Sequence, residues 1–77
     1  MDETRNSSAI ILNRSDYRES DSLITLYTKE FGKLSLVARG TKKINSKLAG
    51  HLEPFSLVNI LLIKGKGFDY VGSALCS

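Results

Sequence analysis

Two neighbouring stretches decide the fold: Leu23-Ile24-Thr25-Leu26-Tyr27-Thr28 and Lys33-Leu34-Ser35-Leu36-Val37-Ala38-Arg39. The first is rich in β-branched and aromatic residues, and the second alternates leucine or alanine with other residues, as strands do. Between them, residues 29–32 end in Gly32, which can adopt the positive φ angle of a tight turn. The two stretches therefore predict a β-hairpin in which Arg39 points away from the face that carries the leucines.

Three further stretches have strand character: Ser8–Asn13, Phe55–Ile63 and Phe68–Leu75. We expect the turn-like residues 14–16 to end the first of them, and the second is long enough to curve through two sheets. Between the third and fourth strands, Ser46–Gly50 predict one helical turn that Gly50 ends. Five strands in this order favour an all-β, five-stranded Greek-key OB-fold barrel, with an SH3-like barrel as the competing architecture.

Length and composition limit the chain to one small domain. It has 77 residues, of which 42% are hydrophobic and 25% charged, a balance that argues against disorder. The longest apolar run, Ile60–Ile63, is far shorter than a membrane-spanning helix, and the polar N-terminus does not resemble a signal peptide. Because Cys76 is the single cysteine, no internal disulfide can form, and a cytoplasmic location is expected.

The domain boundaries are expected to be simple. Residues 1–7 are polar and predict a flexible N-terminal segment, and residues 8–77 predict the barrel. The sequence stops just after a strand-like run, so we expect a fragment of a longer protein.

Positive charge is concentrated in one segment. The net charge is +3, and between residues 33 and 47 there are five cations and no acid. These candidate DNA-binding residues are Lys33, Arg39, Lys42, Lys43 and Lys47. A strand that buries one face and carries cations on the other suits contact with a polyanion. A solvated basic face without a partner is the alternative, and charge alone does not decide between them.

Catalytic and metal-binding patterns are missing from the sequence. The single histidine, His51, lies two residues from Glu53, a spacing that does not guarantee an acid–base pair. His51 and Cys76 are too few for a zinc site. Gly65-Lys66-Gly67 is explained by a hairpin turn and lacks the helix of a phosphate-binding loop. We expect no enzyme activity and no cofactor.

The aromatic residues are sparse. Phe55 and either Phe68 or Tyr70 are expected in the core, whereas Tyr27 and Phe31 flank the hairpin turn and are expected to be more exposed. Because stacking on aromatic rings is the usual source of single-strand base contacts, this distribution predicts contact mainly with phosphates and weak base specificity.

An ordered set of motifs resembles the N-terminal domain of the RecO family of bacterial DNA repair proteins. The motifs are Asp16-Tyr17-Arg18-Glu19-Ser20-Asp21, Leu26–Lys33, Ala38-Arg39-Gly40, Ser46–Gly50 and Leu52-Glu53-Pro54-Phe55. The resemblance implies an OB-fold followed by a helical domain that often carries zinc. It also implies a non-enzymatic recombination mediator that binds single- and double-stranded DNA, anneals complementary strands and helps to load recombinase.

The same resemblance implies partners and site residues. The partners would be DNA, RecR and single-stranded-DNA-binding protein, with a cytoplasmic, nucleoid-associated location and no membrane. DNA contact would fall on the five cations named above. Many relatives have a proline in the basic loop where this chain has Ile44-Asn45, so Arg39 is a firmer candidate than Lys42 or Lys43.

Two other functions remain open from the sequence. The barrel could be a protein-interaction module whose charge serves solubility. It could also be an RNA-binding OB barrel, although those usually carry a cluster of surface aromatic residues on adjacent strands.

Overall fold

The part of the chain that the structure describes forms five strands and one short 3-10 turn. The computed structural model describes residues 3–42 and 49–76. The strands are β1 (Thr4–Tyr17), β2 (Asp21–Thr28), β3 (Gly32–Ala38), β4 (Leu57–Ile63) and β5 (Tyr70–Cys76), and the 3-10 turn is Ala49–His51. The described part of the chain has no helix that is long and apolar enough to span a membrane.

The strands close into a barrel in the order β1-β2-β3-β5-β4. All neighbouring strands are antiparallel except β3 and β5, which are parallel and meet where Val37 faces Tyr70. A backbone bond of 2.9 Å from the Val37 N–H to the Asp69 carbonyl supports this junction. A closed five-stranded barrel of this order is an OB-fold, which confirms the predicted fold class.

The long strand that serves two sheets is β1 rather than β4. Residues 4–10 of β1 pair with β4, and residues 9–17 pair with β2, with an irregularity between Ile11 and Asn13. The prediction that residues 14–16 end this strand was wrong, because the bulge redirects β1 along β2 instead of ending it. The strand also begins earlier than the domain start predicted at residue 8, since Thr4 already pairs with Ile63.

Aliphatic side chains fill the barrel. The buried cluster consists of Ala9, Ile11, Ile24, Leu26, Leu36, Ala38, Leu52, Val58, Ile60, Leu62, Val71 and Ala74. Leu52 comes from the connection between β3 and β4 and is fully buried. The prediction that Phe55 belongs to the core was wrong, since its exposed fraction is 80%. Of Phe68 and Tyr70, one of which was expected in the core, Phe68 is 44% exposed and Tyr70 is partly buried. A barrel of five strands has too little interior for aromatic rings beside these aliphatic side chains.

The connection into β4 differs from the sequence prediction. The helical turn predicted at residues 46–50 is not seen in the described residues, where Gly50 lies inside the 3-10 turn instead of ending a helix. Residues 46–48 lie outside the described residues. β4 begins at Leu57 instead of Phe55, because Phe55 adopts a left-handed backbone conformation with φ 67° that interrupts an extended chain. β5 likewise begins at Tyr70 instead of Phe68.

The β2–β3 hairpin forms as predicted. Gly32 has φ 71°, in the left-handed region that glycine tolerates. The buried Thr28 hydroxyl closes the turn by accepting the Phe31 N–H at 2.8 Å and donating to the Gly32 carbonyl at 2.9 Å. Tyr27 and Phe31 on either side of the turn are exposed, as expected.

Candidate nucleic-acid interface

Residues 40–42 of the basic segment are fixed to the β1–β2 turn and to the start of β2. The Gly40 N–H donates to the Asp21 carboxylate at 2.9 Å. The hydroxyls of Ser22 and Thr41, both buried, are 2.5 Å apart. The Lys42 N–H donates to the Ser20 carbonyl at 3.1 Å. These bonds hold the backbone that leaves β3, so the cations of this stretch project from a defined position.

Arg39 projects from this stretch into solvent. It lies one residue beyond the end of β3, and its guanidinium is 4.7 Å from the centroid of the Tyr70 ring. In the described part of the chain, no carboxylate lies within ion-pair distance of Arg39. The stack on Tyr70 restrains the guanidinium, and the absence of an acidic partner there leaves its charge available to an anion.

A second cation and two rings lie at the same end of the barrel. The Arg18 guanidinium is 4.9 Å from the centroid of the Tyr17 ring. Tyr17 in turn meets Phe68 edge to face, with ring centroids 5.5 Å apart. We call Tyr17, Arg18, Arg39, Phe68 and Tyr70 the cation–aromatic cluster.

Gly65 lets the β4–β5 connection bring Phe68 to this cluster. A Cβ atom at Gly65 would lie 2.3 Å from the Phe68 carbonyl oxygen and 2.7 Å from the Tyr70 ring. Only glycine fits so close an approach. Sequence reasoning missed Arg18, Tyr17 and Phe68 as site residues, because the contact between Tyr17 and Phe68 joins elements about 50 residues apart.

Lys42 is engaged by groups of its own chain. Its ammonium lies 3.3 Å from the Asp16 carboxylate and donates to the Arg18 carbonyl at 3.2 Å. The Asp16 side chain is highly exposed, so water and salt screen this ion pair. Lys42 is therefore partly neutralised but remains able to exchange partners.

The predicted site residues do not form one cluster. Arg39 and Lys42 lie together at the exit of β3, whereas Lys33 lies near the start of the same strand, opposite Tyr27. Lys33 and Arg39 are six positions apart along an extended chain, a distance of about 20 Å. Lys43 and Lys47 lie outside the described residues.

The histidine, the cysteine and Glu53 lie in pair contacts within the described residues. The Glu53 carboxylate is 3.7 Å from Arg14, and the His51 ring is 3.3 Å from the Cys76 sulfur. No group of three or more His, Cys, Asp and Glu residues in the described ranges could hold a metal ion.

A cleft of about 350 Å³ lies beside Asp69, the residue between Phe68 and Tyr70. It is lined by apolar residues and by charges of both signs, namely Glu3, Arg5, Phe31, Leu34, Leu62, Lys64 and Asp69. Its acids are paired with its bases, Glu3 with Arg5 and Asp69 with Lys64. This mixture does not favour a polyanion, so the cleft is a poorer candidate than the cation–aromatic cluster.

Strand order and surface together define an OB-fold domain with an exposed cation–aromatic cluster at one end of its barrel. Comparison with known proteins then places the chain in one family. The family described as "Recombination protein O N terminal" matches residues 1–76. The chain belongs to this family, which confirms the resemblance seen in the sequence motifs.

Its relatives are DNA repair proteins. The chain is 33% identical over 73 residues to "DNA repair protein RecO" of Cutibacterium acnes, a match that covers 95% of the chain and 30% of that protein. It is 40% identical over 65 residues to RecO of Syntrophomonas wolfei, covering 84% of the chain and 26% of the relative. For RecO of Shouchella clausii the identity is 44% over 59 residues, a match that covers 77% of the chain and 23% of the relative. The chain thus spans less than a third of the length of these relatives.

Proposed function

We propose that this OB-fold domain binds single- and double-stranded DNA for a RecO-type repair protein. The observation that carries the proposal is the exposed guanidinium of Arg39, which rests on Tyr70 and has no carboxylate partner in the described part of the chain. Phosphate contact would begin at Arg39 and extend to Lys42 in the same fixed stretch. Lys43 and Lys47 would add to it from the sequence that follows, and Lys33 from the start of β3.

Two physical features support phosphate contact at this place. Residues 40–42 are fixed by bonds to the β1–β2 turn and to the start of β2, so little ordering entropy is lost when the cations of this stretch meet an anion. Cations that neutralise phosphates release the counterions condensed on DNA, which drives binding at low salt.

The aromatic part of the cluster favours a contribution from unpaired bases. Phe68 is 44% exposed, and its edge-to-face contact with Tyr17, whose ring also carries the Arg18 guanidinium, holds the Phe68 ring in place. An exposed aromatic ring beside cations suits stacking of a base whose phosphates are held nearby. We therefore expect base stacking to contribute more to the affinity for single-stranded DNA than the sequence alone suggested. We expect little base specificity.

The proposal extends to the role of the whole protein. By its family, the domain would serve a mediator without catalytic turnover that anneals complementary strands and helps to load recombinase. RecR and single-stranded-DNA-binding protein would be its partners, in the cytoplasm and close to the nucleoid. The relatives' name as DNA repair proteins supports a role in DNA repair.

Direct titration tests the proposed function. The chain is added to fluorescein-labelled single-stranded DNA, duplex DNA and RNA of one length at low salt, and anisotropy is followed. We expect saturable binding to both DNA forms and no preference for RNA. The absence of saturable binding to any of them would support the protein-interaction alternative, and a marked preference for RNA would support the RNA-binding one.

A further inference from the structure

One edge of β3 is open over much of its length. On its other edge, β3 pairs with β2 from its first residue to its last. On the open side, its strand neighbour in the described part of the chain is β5, and the two strands meet only at the pair Val37–Tyr70. Within the described residues, residues 32–36 therefore have no strand neighbour on that side. We call this stretch the open edge.

The backbone of the open edge presents hydrogen-bonding groups outwards. The Val37 N–H donates to the Asp69 carbonyl, so the N–H and C=O groups of Val37 point away from β2. These groups alternate in direction along a strand, and the register with β2 has no shift over β3. Ser35 and Lys33 therefore direct their N–H and C=O groups to the same side as Val37 does. Both residues are exposed, so an incoming chain can reach these groups.

The cleft of about 350 Å³ lies against the open edge. Phe31 and Leu34 line it from the β2–β3 hairpin, and Leu62 lines it from β4. Leu34 also packs against the buried core of the barrel, so its side chain points inwards. A strand added beside β3 would direct every second side chain over this apolar floor. The volume is within the range of about 300–1,000 Å³ that ligand pockets have.

Lys33 gives the open edge a preference in charge. Its side chain points outwards, on the opposite face from Leu34, and no carboxylate lies within ion-pair distance of it in the described part of the chain. An acidic side chain directly opposite Lys33 on an added strand would form a cross-strand ion pair. A second copy that paired through the same short edge would bring two Lys33 side chains together, which like charge disfavours.

We propose that the open edge binds an extended segment of a partner protein in which acidic and aliphatic residues alternate. The segment adds to β3 as an antiparallel strand, the more stable of the two strand directions. Its backbone bonds to Lys33 and Ser35, its aliphatic side chains cover the apolar floor of the cleft, and an acidic side chain lies opposite Lys33. In this mode of recognition, backbone bonds supply affinity and alternate side chains supply specificity.

This binding mode is independent of the proposed DNA contact at Arg39. The open edge ends where Val37 meets β5, and Arg39 lies beyond that junction. Lys33 is the one residue with a part in both proposals, since it could meet either a phosphate or a carboxylate. A failure of peptide binding would therefore leave the proposal for Arg39 standing, and the converse also holds.

Short synthetic peptides test the proposal on the 77-residue chain. The probe is a fluorescein-labelled octapeptide that alternates aspartate and valine, and its anisotropy is followed as the chain is added. In an antiparallel strand, the aspartates opposite Lys33 and Ser35 turn their own N–H groups towards β3. N-methylation at the aspartates should therefore weaken binding by about tenfold or more, whereas N-methylation at the valines should have little effect. Equal effects of the two modifications, or no saturable binding of the unmodified peptide, would overturn the proposal.

A charge exchange at Lys33 separates this site from general electrostatics. The wild-type chain should prefer the aspartate peptide by about threefold or more over a matched peptide with lysine at the same positions, and Lys33→Glu should reverse this preference. Lys29→Glu makes the same change of charge in the neighbouring turn and should keep the wild-type preference. A reversal of equal size in both variants would overturn the proposal, because net charge alone would then explain the preference.

Ser35→Pro tests the backbone of the open edge. Proline removes the Ser35 N–H, which points away from β2, so the ladder between β2 and β3 is kept, and proline is tolerated at strand edges. The variant should lose binding of the aspartate peptide by about tenfold or more while its circular dichroism stays unchanged. Undiminished peptide binding in the folded variant would contradict the proposal. A dimer mass of the wild-type chain by light scattering that Ser35→Pro converts to a monomer would assign the open edge to a second copy instead.

Discussion

The guanidinium of Arg39 lies over the ring of Tyr70, 4.7 Å from its centroid, and this contact ties the proposed DNA site to barrel closure. Tyr70 is the residue at which β5 meets β3, opposite Val37. Arg39 therefore depends on the parallel junction that closes the barrel, and a chain that failed to close would not present its cation in the same place.

Arg39 substitutions should separate charge from stacking. For single-stranded DNA, Arg39→Gln should reduce the slope of log affinity against log salt concentration by about 0.7, the value for one phosphate contact. Arg39→Lys keeps the charge, so the slope should stay while affinity falls, because an ammonium loses the planar stack on Tyr70. Anisotropy titrations at several salt concentrations measure both quantities.

A matched control for this pair is Lys29→Gln in the β2–β3 turn, at the other end of β3. It removes the same charge and should leave the slope near the wild-type value. A slope that falls equally for Lys29→Gln and Arg39→Gln would mean that only net charge matters.

Asp16 should lower the affinity for DNA, because its carboxylate pairs with the Lys42 ammonium. Asp16→Asn frees the Lys42 ammonium, now 3.3 Å from the carboxylate, and we expect affinity at low salt to rise about two- to threefold, since exposed ion pairs are worth about 0–1 kcal/mol. Glu30→Gln removes an exposed acid from the β2–β3 turn and serves as the control. An equal rise for both variants would show that Lys42 has no special part.

The Ser22–Thr41 hydroxyl pair should stabilise the fold and fix the exit of β3. Thr41→Val leaves the buried Ser22 hydroxyl without its partner and should lower the free energy of unfolding by about 1–3 kcal/mol. The double variant Ser22→Ala/Thr41→Val should cost less than the sum of the two single variants, because no unpaired hydroxyl remains. Urea unfolding measures all four proteins, and strict additivity would argue against the bond.

The sequence predicted the fold well where alternation is regular. The β2–β3 hairpin, its turn at Gly32 and the five-stranded class follow from local patterns, because strand periodicity and turn chemistry are properties of neighbouring residues. The extent of β1 could not be predicted, since its polar end at Asp16 and Tyr17 is a strand only through pairing with β2.

The site was predicted in part for the same reason. Arg39 follows a strand and could be assigned to an exposed face from alternation alone. The aromatic residues of the site could not be assigned from the sequence, because Phe68 contacts Tyr17 only through tertiary structure. The exposure of Phe55 was not predicted either, because it follows from the small interior of the barrel. Sequence reasoning placed Phe55 and one of Phe68 and Tyr70 inside because large apolar residues are usually buried.

At position 55, glycine should destabilise the fold less than alanine does. At φ 67° a residue with a Cβ is strained by about 1–2 kcal/mol, and the exposed ring adds little packing in the 77-residue chain. Phe55→Gly should therefore change the free energy of unfolding by less than about 1 kcal/mol, far below the 3–5 kcal/mol typical of a core Phe→Ala change. Phe55→Ala should be less stable than Phe55→Gly in urea, and the reverse order would contradict the left-handed conformation.

Leu52 should be essential to the core although it lies outside the strands. It is fully buried, so Leu52→Ala should cost about 2–5 kcal/mol. Leu57→Ala, at an exposed position of β4, should cost about 0.5 kcal/mol or less in the same chain. Equal losses in thermal unfolding would mean that the connection between β3 and β4 does not close the barrel.

The most direct test of DNA binding by the basic segment is the salt dependence of a triple variant. Arg39→Gln/Lys42→Gln/Lys43→Gln is titrated onto single-stranded DNA beside the wild-type chain and a control of equal net charge. The control carries Arg5→Gln, Lys29→Gln and Lys64→Gln, elsewhere on the barrel. We predict that the slope of log affinity against log salt concentration falls by up to about 2 in the triple variant, while the control keeps most of the wild-type slope. An unchanged slope in the triple variant, with its fold intact by circular dichroism, would contradict the proposed site.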